Sequence, residues 1–122
     1  MFLKFMRTAC TDGVIDLVRL PVYEMEEELG FGRCWEFMIC PHGRRRDAGR
    51  ISIRLGESEA VYYFGHIGYH INPHYRGNGW ALQACRLIAP ILRQEGRAGV
   101  VITCDPDNIP SRKTIERLGC TL

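Results

Sequence analysis

The residues whose types and spacing point first to chemistry lie between Gly65 and Leu92, in the stretch GHIGYHINPHYRGNGWALQACRLIAPIL. Gly77 and Gly79 separate a strand-like segment ending at INP from a helical pattern that begins at Trp80. Glycines let backbone N–H groups approach a ligand closely, and a helix start adds partial positive charge, so the turn suits a phosphate. A tight strand-to-helix turn with no ligand would use the same glycines. The P-loop lysine and its Ser/Thr are absent, and Leu82 stands where a dinucleotide fingerprint has its third glycine, so neither nucleotide motif is met. A pyrophosphate carrying a different tail is the expected guest.

His66 and His70 precede the turn, and histidine titrates near neutral pH, which suits proton transfer. On one strand the two share a face about 13 Å apart, too far to ligate one metal, so no metal site is expected. Two polar positions on a half-exposed strand would read the same way. Arg44, Arg45 and Arg46 are read as a solvated turn, with contact to an acidic substrate or nucleic acid as the alternatives. Glu24, Glu26, Glu27 and Glu28 either favour a cationic amine or form a solvated helix face.

The elements that must position these groups follow from periodicity. Residues 14–20, 33–40, 50–55 and 61–71 read as strands of a four-stranded antiparallel meander, with one or two helical turns ending at Gly30. From Gly79 to about Gly96, Trp80, Ala84, Leu87, Ile88, Ile91 and Leu92 fall on one helical face, interrupted by Pro90. Residues 99–105 are a continuous apolar run, as expected of a strand buried on both faces. A last helix is capped by Asn108, carries Pro110 in its first turn, turns Ile115 and Leu118 inward and ends at Gly119. The crossover from 61 to 105 makes its two strands parallel neighbours. The fold class is mixed α/β, with a mostly antiparallel central sheet.

Length and composition set outer bounds. A chain of 122 residues supplies one compact domain, 1–122, and 46% hydrophobic with 25% charged residues is ordinary globular composition. Sixteen basic against fourteen acidic residues leave a charge of +2, which argues against a general affinity for nucleic acid or an anionic membrane. No apolar run of about 18 residues is present, and the opening MFLKFM is too short for a signal-peptide core, so a cytoplasmic location is expected. The six cysteines never fall into C-x-x-C and read as buried free thiols.

Two motifs carry a family resemblance. Arg76-Gly77-Asn78-Gly79-Trp80-Ala81 resembles the Q/R-x-x-G-x-G/A acetyl-coenzyme A signature of the GNAT acetyltransferases, and Asn108-Ile109-Pro110-Ser111 with Ile115-Glu116-Arg117-Leu118-Gly119 resembles that family's later N-x-x-S and E-K-L-G segment. The resemblance covers roughly 12–122. It implies a GNAT-like fold with a splayed parallel strand pair, here lacking the usual carboxyl-terminal strand or strands, whose open edge invites a second copy. It implies acetyl-coenzyme A as cosubstrate, its pyrophosphate on the N–H groups of Gly77, Asn78, Gly79, Trp80 and Ala81 with Arg76 opening the motif. Pantetheine would lie along His70 and Ile71, with Asn108 and Ser111 near the thioester or the coenzyme arm. The implied activity is transfer of an acetyl group to an amine of a small molecule or protein by direct attack on the thioester. The Ile71 backbone N–H is then the oxyanion donor, with Ser111, a water or a tyrosine from elsewhere as proton donor and His66 or His70 as base. Many members place a tyrosine seven residues after the asparagine; that position is Ile115 here. The alternative is a non-catalytic coenzyme A-binding sensor or interaction domain.

Overall fold

The computed structural model describes residues 8–20, 34–54, 67–94 and 109–118. Within them the order is β1 (Thr8–Thr11), β2 (Ile15–Leu20), β3 (Cys34–Pro41), β4 (Gly49–Arg54), β5 (Ile67–Ile71), a 3₁₀ turn (Pro73–Tyr75), α1 (Trp80–Gln94) and α2 (Ile109–Arg117). The five strands form one sheet in the order β1-β2-β3-β4-β5, every pair antiparallel. Four of them answer to the expected meander. β1 is an addition: it has four residues, mostly exposed, and lacks the apolar alternation that marks a strand.

Register explains the core. Leu17 faces Ile39, Phe37 faces Ile51, and Trp35, Ile53 and Ile67 form one cross-strand row, so the alternating positions of four strands share a face. That face meets Ala84, Cys85, Ile88 and Leu92 of α1, all buried at helical spacing. Trp80, Leu87 and Ile91 pack half-buried against the same cluster, joined by Leu118 after α2. The Arg19 guanidinium lies 4.7 Å over the Trp35 ring where this face ends. On the opposite face Val18, Met38 and Cys40 form a smaller buried cluster. Each such side chain is worth roughly 1.5–3 kcal/mol when removed from water.

Pro90 does not end the helix, which runs on to Gln94. Proline removes the N–H that would reach the Arg86 carbonyl, but Pro90 and Arg86 both lie on the exposed face, where water can serve that carbonyl. Among the described residues no helix is long and apolar enough to cross a membrane. The helical turns expected before Gly30, the strand expected at 99–105 with its parallel pairing, the first residues of the strand expected at 61–71, and the Asn108 cap all lie outside the described residues.

Because successive strands reverse, three connections gather at one end of the sheet: the β1–β2 turn, the β3–β4 turn and the glycine turn after β5. Asn72 ties two of them together. Its N–H donates to the Ala48 carbonyl at 2.8 Å, and its side-chain amide donates to the Asp47 carbonyl at 2.8 Å.

Candidate functional site

The site is built outward from the end of β5. Asn72 bonds back to Ala48, and the register pairs Arg50 with His70 and Gly49 with Ile71. Antiparallel pairs alternate between bonded and unbonded, so His70 turns its peptide groups toward β4, while Tyr69 and Ile71 turn theirs to the outer edge. The Ile71 carbonyl accordingly receives the Arg76 Nε at 2.8 Å. At the same place β4 approaches unusually closely: a Cβ on Gly49 would stand 2.2 Å from the His70 carbonyl oxygen. Glycine is required there by proximity and not by its dihedral angles.

The turn itself is held open. Tyr75 N–H bonds to Asn72 O at 2.9 Å, and the Asn78 side-chain amide donates to Tyr75 O at 3.0 Å. Gly77 and Gly79 have φ of 88° and 72°, in the left-handed region that disfavours any side chain. No atom lies within 4 Å of where a Cβ would be on either glycine. The space above the turn is therefore free for another molecule. The Tyr75 and Trp80 rings stack across the turn with centroids 5.5 Å apart, and α1 begins immediately after Gly79, with Gln83 N–H reaching Gly79 O at 3.1 Å.

This turn opens into a cavity of about 470 Å³, within the range usual for small-molecule sites. Of the residues expected at a coenzyme site, His70, Ile71, Arg76, Gly77, Gly79, Trp80 and Ala81 line it. Asn78 is absent from the lining; its side chain closes the turn instead. Ser111 belongs to α2, and His66 and Asn108 lie outside the described residues. His70 falls on the sheet face of Arg50, Met38 and Val18, opposite Tyr69 and Ile71. Sequence reasoning missed Tyr69, Tyr75, Leu82, Lys113, Thr114 and Arg117, which complete the lining. The four-residue spacing of Lys113 and Arg117 on the last helix was the available signal.

A second polar cluster stands at the β1–β2 and β3–β4 turns. Asp16, 3% exposed, meets the His42 Nδ1 at 2.7 Å and accepts the Gly43 N–H at 2.9 Å. Burial alone pushes the Asp16 carboxyl up. Hydrogen bonds from Thr11, His42 and Gly43, with the charge of His42, outweigh that and hold it below the ordinary carboxylate value. Arg45 lies 3.7 Å from Asp16 and donates to the Thr8 hydroxyl at 2.6 Å. The basic run is thus only partly a solvated turn: Arg44 and Arg46 are exposed, while Arg45 is structural. Cys10, Cys40 and Cys85 form no disulfide; Cys40 and Cys85 are buried and Cys10 is half-buried, and burial pushes Cys10 and Cys40 up, keeping them protonated. No group of three or more metal-ligating side chains occurs among the described residues.

Comparison with known proteins adds three findings. The family model described as an acetyltransferase (GNAT) domain matches residues 13–121. A protein of Bacillus subtilis (strain 168) named as the uncharacterized N-acetyltransferase YnaD is 32% identical over 70 residues, which cover 53% of this chain and 41% of that one. The match thus spans less than half the length of that relative. No solved structure matches the chain at a significant level.

Proposed function

The chain belongs to the GNAT acetyltransferase family, and on that premise we propose that it transfers an acetyl group from acetyl-coenzyme A to an amine of a small molecule or protein. The observation that carries the reading is the glycine turn: two left-handed glycines with open space above them, at the start of a helix and inside a cavity whose charged lining residues are cationic. The pyrophosphate sits on the N–H groups of residues 77–81, where the helix dipole favours negative charge. The outward peptide groups of Tyr69 and Ile71 pair with the amides of the pantetheine arm, as a further strand would pair with the sheet edge.

The amine attacks the thioester carbonyl carbon, and the developing oxyanion accepts a hydrogen bond from the outward N–H of Ile71 or of Tyr69. Collapse breaks the carbon–sulfur bond, the thiolate takes a proton from an acid, and the new amide gives up the amine's proton to a base. Ile115, half-buried on α2, cannot be the acid. Tyr69 and Tyr75 bring phenol groups to the cavity lining, with Ser111 as the remaining candidate on α2. His70 and His66 are the candidate bases, acting directly or through water. Ile115 also favours a second reading, coenzyme A binding without turnover.

Calorimetric titration of acetyl-coenzyme A tests the proposal, with a Gly79→Trp variant to fill the turn. Saturable binding lost in a folded variant, followed by amine-dependent thiol release, is the expected result. Binding with no thiol release across primary amines would select the second reading. A folded chain that binds no acetyl-coenzyme A would overturn both.

A further inference from the structure

The cavity lining carries more cations than a pyrophosphate held by backbone N–H groups requires. Across from the glycine turn it is walled by α2, where Lys113 and Arg117 stand four residues apart and so lie one above the other on one helical face. Both are exposed, and neither forms an ion pair among the described residues. Together with Arg76 they put three cations on the lining, and none of the described lining residues is a carboxylate. A cationic wall of this kind is matched by a ligand with anionic groups at two separate places.

We propose that Lys113 and Arg117 bind a terminal phosphomonoester, the 3′-phosphate of coenzyme A, so that the site selects coenzyme A over its dephospho form. The inference rests on the coenzyme reading above and adds the residues that read the ligand's far end. A phosphomonoester carries about −1.5 to −2 charges at neutral pH and three acceptor oxygens, which suits a lysine and an arginine presented side by side. Cavity lining separates this pair from the other basic group at the same end of the sheet. Arg44 and Arg46 are also exposed, but they lie on the β3–β4 turn and outside the lining. The pyrophosphate is left to backbone N–H groups, whose grip does not depend on the 3′-phosphate.

The test is calorimetric titration of coenzyme A and dephospho-coenzyme A into the intact chain, a Lys113→Ala/Arg117→Ala variant, a charge-keeping Lys113→Arg/Arg117→Lys variant and an Arg44→Ala/Arg46→Ala control. Because both side chains are solvent-facing, the expected preference for coenzyme A is moderate, about tenfold, and shrinks with added salt. The alanine pair should abolish it while leaving dephospho-coenzyme A affinity within about threefold; the charge-keeping pair and the control should retain it. Equal binding of the two ligands by the intact chain would overturn the proposal and leave the coenzyme site standing. Persistence of the preference in the Lys113/Arg117 alanine pair, or its loss in the control, would assign the phosphate elsewhere. Failure of both ligands to bind the folded chain would overturn the coenzyme reading and this inference with it.

Discussion

Arg76 does two things with one side chain. Its Nε fastens the glycine turn to the Ile71 carbonyl, and it adds a cation to the cavity. Arg76→Ala should weaken acetyl-coenzyme A binding about tenfold by calorimetry, since a charged donor's hydrogen bond is worth about 1.5–3 kcal/mol before solvent reduces it. Arg76→Lys should recover only part of the loss, because a lysine keeps charge without the planar fork. Asp16 governs a different property. Its folded pKa lies below the unfolded value, so the native state binds fewer protons and stability rises with pH across that window. The contribution is complete above the unfolded carboxylate value, about 3.9, and is lost as pH falls through the lower folded value. Urea midpoints against pH should show an acid limb in the intact chain that flattens in Asp16→Asn, with a loss of about 1–3 kcal/mol at neutral pH from disturbed buried bonds. The glycine turn was readable because glycine is local punctuation. The Asp16–His42 bond was not, since it joins residues 26 positions apart that only strand pairing brings together. Lys113 and Arg117 offered only their four-residue spacing: two cations on a short helix ordinarily mean a solvated face, and the facing cavity gives them another meaning.

At the scale of elements, the strands with clean alternation were readable and the least apolar one was not. β3 and β4 announce themselves by β-branched and aromatic residues at every second position, whereas β1 is held by pairing with β2 alone. Gly49 falls between the expected strands 33–40 and 50–55, where a glycine suggests a turn, but its constraint is steric and comes from β5. Gly49→Ala would drive a Cβ into the His70 carbonyl and force β4 and β5 apart, at a cost of about 1–3 kcal/mol. Because the displaced segment includes Ile71, thermal melts should show lower stability and calorimetry weaker coenzyme binding in the same variant. Pro90 gives an opposite prediction. A helix-interior proline costs about 3 kcal/mol, water at the exposed Arg86 carbonyl recovers part of that, and alanine returns up to about 1 kcal/mol of entropy to the unfolded chain. Pro90→Ala should therefore stabilise by roughly 1–2 kcal/mol in urea without altering ligand affinity, as the position faces away from the cavity. A loss of stability would mean that the proline shapes α1 for its packing.

Across the whole molecule, the site joins parts far apart in the chain: the end of β5, the glycine turn, the first turn of α1 and the outer face of α2. A ligand that bridges them must stabilise the fold, by about 2.7 kcal/mol at a hundredfold excess over its dissociation constant. Acetyl-coenzyme A should therefore raise the melting temperature of the intact chain and leave that of a Gly79→Trp variant unchanged. The sheet that supports this site has its strands in the same spatial order as in the chain, each paired with its sequence neighbour. Such an arrangement pairs only sequence neighbours, which keeps loop closures local and favours assembly by successive addition of strands. α1 can dock only on a face that four strands already share, so the cavity comes into being at the end of folding and not at its beginning. Pulsed amide exchange during refolding should find β2, β3 and β4 protected no later than α1, and the reverse order would mean that the helix templates the sheet. A chain caught before that last step would possess a paired sheet and no cavity for a ligand to enter.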